Sequence, residues 1–299
     1  MNKISIIIPT KDRLNFLKNT LRNLDKNNFF FNEIIIVDSS VKKINNYNFN
    51  FLSHKIKRKI KLIYSSPGTA LQRNIGLKNI NRGNDYVMFL DDDIKFENKA
   101  FFKMHFFLNT IPNYIFGISL NNNETLKKNF FEKLKKTKFA SFLNLYSDRP
   151  GKVTKSGWQT KNTKVEFNFF VEWISTAAAL YRLKKIKNLR FNEKLGIYSY
   201  LEDLDFSYKV SKIGKLIIFS KSFYFTKNII LRNNFKFGVK ELFNRYIFIK
   251  DNKLSRYYFF LGSFVLTLKN LARIIILDIR SFNRGLGNII GYIYILKNG

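Results

Sequence analysis

Three acids in a row, Asp91-Asp92-Asp93, close the apolar run Tyr86–Leu90. Carboxylates crowded at one strand end repel one another unless a cation lies among them. Lys or Arg could supply it, and so could a divalent ion. Mg²⁺ or Mn²⁺ takes one or two protein carboxylates and completes its shell with substrate phosphate oxygens. A nucleoside diphosphate is therefore the natural ligand of such a cluster. Thiolate chemistry is excluded because the chain has no Cys, and its two histidines, His54 and His105, sit in no acidic cluster; any metal here is hard and held by oxygen. Asp38 ends a second apolar run, Glu33–Val37, where an acid either caps a turn or accepts hydrogen bonds from a base or ribose. Arg73, within Gly68–Asn74, falls in the first turns of a helix. Its planar fork and the helix N-terminal field both suit an anion, although an exposed helix Arg is the plain alternative. Glu202-Asp203-Leu204-Asp205 puts paired carboxylates more than a hundred residues after the first cluster. A carboxylate beside a bound sugar can take the proton of a hydroxyl; it can also simply stabilise the first turn of a helix.

These residues need a scaffold, and the periodicity supplies one. Ile4–Ile8, Glu33–Val37, Lys61–Tyr64 and Tyr86–Leu90 read as strands buried on both faces. Between them, Leu14, Leu17, Leu21 and Leu24 step at helical spacing behind Asp12, a candidate cap, and Leu71, Ile75 and Leu77 mark a second helix. Strand–helix–strand in this rhythm predicts an α/β fold with a parallel sheet. Ligands of such sheets bind beyond the carboxyl ends of the strands, where Pro9-Thr10, Asp38-Ser39 and Asp91-Asp92-Asp93 all fall. Further on, 121–138 reads as a Lys-rich surface segment and seam, 148–164 as a loop or hairpin with Pro150, Gly151 and Gly157, and Phe206, Val210 and Ile213 as a helix closed by Gly214.

The 299 residues carry 53 Lys+Arg against 21 Asp+Glu, a net charge of +32, together with 33 Phe and 15 Tyr. So aromatic a chain folds, and so basic a one keeps anionic company. Lys, Asn, Ile and Phe are enriched along the whole length, so charge by itself names no partner. The basic residues are scattered rather than gathered on one element with stacking aromatics, which argues against nucleic acid. No signal peptide is expected at the N-terminus. Near the C-terminus the longest uncharged stretch is Tyr257–Leu268, ended by Lys269, shorter than the roughly 18 residues a spanning helix needs. Apolar blocks alternating with Lys269, Arg273, Arg280, Arg284 and Lys297 fit interfacial helices on an anionic leaflet, or core helices. The expected location is cytoplasmic, peripheral on the inner face of the cell membrane.

Taken together, Ser5–Arg13, Glu33–Ser39, Gly68–Asn74, Tyr86–Asp93, Val171–Arg182 and Glu193–Asp205 resemble, in order and spacing, the family 2 glycosyltransferases and their GT-A fold, a Rossmann-like mixed sheet flanked by helices, with rhamnosyltransferase-like members among them. The resemblance implies that Pro9, Thr10, Asp38, Arg73, Asp92 and Trp173 hold a nucleotide-diphospho-sugar donor. It implies Asp91 and Asp93 as the metal ligands for Mg²⁺ or Mn²⁺, and Asp203, beside Glu202, as the general base of an inverting single displacement onto a glycan or lipid-linked acceptor. It further implies a catalytic domain over 1–225, with a nucleotide-sugar half 1–110 and an acceptor half 111–225, followed by a helical segment 226–299. Three departures stand out. Lys11 replaces a common aromatic, Ser175-Thr176-Ala177 replaces a Gly-rich turn, and no His follows the Glu-Asp motif between Lys221 and Lys227. A nucleotidyltransferase, the other enzyme reading, would need a Gly-rich signature that Pro9–Arg13 lacks.

Overall fold

The structure is a computed structural model describing residues 2–27, 30–123, 138–142, 144–162, 164–197, 199–226 and 234–298. Most of the Lys-rich seam expected at 121–138, and the start of the C-terminal segment at 227–233, lie outside these residues. The chain forms two compact units: 1–126 with 162–228, and 127–161 with 229–299. Residues 127–161 thus group with the C-terminal helices and not with their immediate sequence neighbours.

The first unit runs β1 (Ile4–Thr10), α1 (Leu14–Asp25), β2 (Glu33–Asp38), β3 (Ile60–Tyr64), α2 (Thr69–Lys78), β4 (Tyr86–Leu90), β5 (Ile94–Phe96), α3 (Ala100–Leu108), β6 (Ile115–Asn122), β7 (Phe169–Val171), β8 (Ala178–Arg182), α4 (Glu202–Ser211) and β9 (Lys215–Thr226). Its sheet has the order β3-β2-β1-β4-β8-β6-β9-β5, with β7 beside β9. The first four strands are parallel, as their rhythm predicts. Beyond them the sheet is mixed, because β8 enters antiparallel between β4 and β6.

β1, β2 and β4 are buried almost throughout because both faces are covered, whereas β3, at the sheet edge, leaves Lys61 and Tyr64 exposed and so is not the doubly buried strand its sequence suggests. Ile4, Ile6, Ile8, Ile34 and Ile36 pack under Leu17, Leu21 and Leu24 of α1. Ile7, Ile35 and Val37 face Ala70 and Leu77 of α2 and Phe206 and Val210 of α4. Fully burying each such side chain contributes roughly 1.5–3 kcal/mol. On the second face α2 lies so close to β1 that a Cβ on Gly76 would meet Ile7 Cγ2 at 2.5 Å, and this contact sets the height of α2 over the strand ends. One cap differs from expectation. Asp12 has φ 54° and does not cap α1; its carboxylate accepts from Val41 N at 2.8 Å and ties the β1 and β2 loops together.

The second unit holds α5 (Asn234–Asp251), α6 (Arg256–Ala272) and α7 (Ile279–Asn298), around Leu242, Tyr246, Ile249, Phe259 and Ile295. Arg245 lies 4.6 Å over the Trp158 ring and donates to Gln159 Oε1 at 3.0 Å, fastening the 138–161 segment to α5. The stretch Arg256–Ile276 has a mean hydropathy of 1.6 over its best 18-residue window, so it is long and apolar enough to cross a membrane. A count of uncharged residues that stops at Lys269 misses it, since one ammonium does not offset the apolar residues on both sides.

Candidate active site

Parallel pairing brings the carboxyl ends of β1, β2 and β4 to one edge, with Thr10 directly beside Asp38. Gln72 of α2 crosses beneath them: its Nε2 donates to Thr10 O at 2.9 Å and to Val37 O at 2.7 Å. Thr20 of α1 donates to Asp92 O at 2.8 Å and Ile94 O at 3.1 Å, holding the backbone of the acid triplet from the opposite face. The loops are therefore fixed by side chains from both helix layers.

Two arginines neutralise the acids. Arg13 reaches Asp92 Oδ1 at 3.0 Å and Asp93 Oδ2 at 2.6 Å, while the Thr10 hydroxyl donates to Asp92 Oδ2 at 2.7 Å. Arg73, only 2% exposed, forks between Asp91 Oδ1 at 2.8 Å and Glu202 Oε1 at 2.7 Å, with its guanidinium 5.5 Å over the Phe191 ring. Asn74 fixes the same neighbourhood by donating to Phe191 O at 2.9 Å and Glu193 Oε1 at 2.7 Å. The acids are desolvated to different degrees, Asp92 most and Asp91 least. Burial pushes Asp92 up to about 7 against the pull of Arg13 and Thr10. It pushes Glu202 up to about 7 against Arg73, and it raises Asp91 and Asp203 as well. The Asp91 side chain keeps 40% of its surface open to solvent.

Asp203 sits in the first turn of α4, where its Oδ1 accepts from Leu204 N at 2.7 Å. Beneath it the Tyr181 hydroxyl is buried without a hydrogen-bond partner, and burial, with the charge of Asp203 adding to it, holds that phenol far above its ordinary range. Asp205 is fully buried and paired with Lys209 Nζ at 2.6 Å. Of the expected site residues, Thr10, Arg73, Asp91, Asp92, Asp93 and Glu202 are joined by these contacts, with Asp203 next to Glu202 on α4. Pro9 is buried in β1 opposite Val37. Asp38 is fully buried, and its oxygens accept from Ser40 N and Ile44 N, each at 2.9 Å; it holds the loop after β2. Trp173 is buried between β7 and β8, its carbonyl accepting from Asn162 Nδ2 at 3.0 Å. Sequence reasoning gave no role to Arg13, Gln72, Asn74 or Tyr181. Arg13 was within reach of it, since three adjacent acids call for a cation and Arg13 lies just past the neighbouring strand end.

The donor set is all oxygen, which suits Mg²⁺ or Mn²⁺. Among the described residues no group of three Asp, Glu or His side chains is placed to hold a metal ion. Asp91 and Asp93, each paired with an arginine here, are the carboxylates that could contribute to one.

The profile of glycosyl transferase family 2 matches residues 5–169. No curated protein sequence matches. Among solved structures, S. aureus TarS 1–349 aligns with a TM-score of 0.52 at 14% identity, over 99% of this chain and 92% of that one. The same protein in complex with UDP-GlcNAc gives 0.56 at 15%, over 96% and 80%. GalNAc-T7 with UDP, GalNAc and Mn²⁺ gives 0.62 at 13%, over 90% of this chain and 51% of that one.

Proposed function

Since the chain belongs to glycosyl transferase family 2 and has the GT-A fold of a glycosyltransferase, we propose that it takes a sugar from a nucleotide-diphospho-sugar and passes it, by inverting single displacement, to a glycan or lipid-linked acceptor. The observation that carries this reading is the Arg73 fork. It binds Asp91, at the strand end, to Glu202, which opens the distant Glu-Asp motif, so donor-side and acceptor-side acids share one cluster.

In this reading Pro9, Thr10, Asp38 and Asp92 shape the nucleotide side, and Trp173 borders the sugar. Asp203, with its proton affinity raised by burial, takes the proton of the attacking hydroxyl as the bond to the leaving diphosphate breaks. Arg73 offsets the charge of Asp91 and Glu202 in both ground and transition states. When bound, Mg²⁺ or Mn²⁺ supplies the positive charge that stabilises the departing diphosphate. The UDP and UDP-GlcNAc complexes of TarS and the Mn²⁺ complex of GalNAc-T7 support a uridine diphosphate donor and the metal. The basic, apolar C-terminal helices support work at the inner face of a membrane.

The metal is testable without an acceptor. Asp93→Asn is expected to abolish the Mn²⁺-dependent part of UDP affinity while leaving the circular dichroism spectrum unchanged. Calorimetric titration of UDP with and without Mn²⁺ measures it, and an unaltered Mn²⁺ dependence would remove Asp93 from the ligand set.

A further inference from the structure

Helices α5, α6 and α7 bury polar side chains beside their apolar core and leave large apolar side chains exposed. Their interior buries Glu241, Asn244, Asn270 and Asn288. Arg284 pairs with both oxygens of Glu241. Asn288 donates to Gly238 O at 3.0 Å and accepts from Asn270 at 3.1 Å, and the Tyr292 hydroxyl meets Ser263 at 2.7 Å. The helices touch backbone to backbone: a Cβ on Gly238 would lie 2.2 Å from Arg284 O, and one on Gly287 would lie 2.1 Å from Phe235 O.

The outside is apolar. On α6, Tyr257, Phe260, Phe264 and Leu268 are exposed at helical spacing, and on α7, Ile279, Leu286 and Ile293 are exposed at seven-residue steps. The corner between them, Ile274-Ile275-Ile276-Leu277, is exposed throughout, Ile275 at 83% and Leu277 at 81%. A helix at the surface of a water-soluble domain has the opposite arrangement. Small residues at the contact, polar side chains bonding across it and apolar side chains facing out is the pattern of helices whose surroundings are hydrocarbon.

The corner is built, not slack. Leu277 has φ 55°, a region non-glycine residues seldom occupy. The Asp278 carboxylate staples the turn, accepting from Arg273 Nε at 2.7 Å, Ser281 N at 3.0 Å and the Ser281 hydroxyl at 2.9 Å. From Arg256 to the C-terminus Asp278 is the only acid, against Arg256, Lys269, Arg273, Arg280, Arg284 and Lys297. That charge balance complements an anionic leaflet. A hairpin crossing the bilayer would have to move Arg273, Asp278 and Arg280 across its core to the far side, whereas one lying in the interface keeps them at the near headgroups.

The geometry points to α6, the corner and α7 as a monotopic membrane-docking hairpin that lies in the plane of an anionic bilayer. Ile274–Leu277 and Ile279 are its deepest residues, and Arg273 and Arg280 lie at headgroup level. This deepens the membrane reading above and rests on it only for which leaflet is met.

The test is flotation of the full chain with phosphatidylcholine vesicles, with and without phosphatidylglycerol. The wild type is expected to float with the anionic vesicles, and added salt should weaken but not abolish binding. Ile275→Asp with Leu277→Asp should lower vesicle affinity about tenfold or more, from the apolar area lost to the lipid. The same variant should keep the wild-type Tm and UDP affinity, since both side chains are exposed. Absence of flotation at every salt concentration overturns the proposal. So does a lipid-free dimer that the double variant converts to monomer, which would give the face to a second copy. A wild type that floats but binds no UDP would end the donor reading and leave the hairpin assignment standing.

Discussion

Asp203→Asn is expected to lower turnover by about 10²–10⁴-fold, the usual contribution of a general base, with donor affinity nearly unchanged. The substitution keeps the acceptor for Leu204 N that the Asp203 side chain provides, so the start of α4 should survive it. Burial raises both Glu202, to about 7, and Asp203. Protonation of Asp203 as pH falls removes the base, so the wild-type kcat should decline on the acidic side, at a pH above the ordinary carboxylate range. That acidic limb should flatten in Asp203→Asn. Asp205→Asn provides the contrast. Asp205 is buried against Lys209, so its replacement should cost stability and leave the pH profile alone. Donor affinity by calorimetry, beside kcat on a working acceptor across pH, decides the matter. A loss of donor binding at Asp203, or equal turnover losses at both positions, would move the base elsewhere.

Arg73→Met should be the most destabilising single change in the site. Removing one member of a buried ion network costs about 3–5 kcal/mol because the partner charges are left uncompensated. The lower end is expected here, since solvent at the Asp91 side chain screens part of that charge. The loss should depend on pH in a definite direction. Glu202 already has a raised folded-state pKa, and without Arg73 it rises further. A carboxyl with a raised folded pKa favours the folded state at low pH and loses that contribution as pH climbs through the folded value. Arg73→Met should therefore lie closer to wild type at pH 5.5 than at pH 8. Thermal denaturation at the two values measures it, and an equal deficit at both would mean that the carboxylates are not what Arg73 stabilises.

The parallel half of the sheet was legible because Ile6–Ile8 and Ile34–Val37 are unbroken apolar runs, which a strand covered on both faces requires. Their polar ends marked the site edge for the same reason. The mixed half followed from the family resemblance alone and not from any local pattern. Pairing of Tyr86 with Arg182 depends on which distant strand closes the gap beside β4, and no local pattern encodes that. Within the site, the acids declared themselves by type and adjacency, whereas Gln72 and Tyr181 look like any helix amide and any core aromatic until the carbonyls and carboxylates around them are placed. Asp12 misled for a local reason: a short acid before an apolar repeat reads as a cap, but its left-handed backbone turns the carboxylate toward Val41. In the C-terminal helices the alternation of apolar and basic residues was visible, but which side faced inward was not, because both faces carry large apolar residues.

The Arg73 fork also sets an order of assembly. Arg73 and Glu202 are 129 residues apart in sequence, and bringing such distant residues together incurs a loop-closure cost that grows with the intervening length. During synthesis Asp91 and Arg73 emerge long before Glu202, so a nascent chain can lay down β1 through β4 from contacts already in hand. The cluster that would bind and react is completed only when α4 docks. A ribosome-bound or truncated chain ending before residue 202 would thus carry the strand-end acids and one arm of the fork, but no Glu202 for the other arm. The fork is thus complete only once residue 202 has been made and α4 has docked.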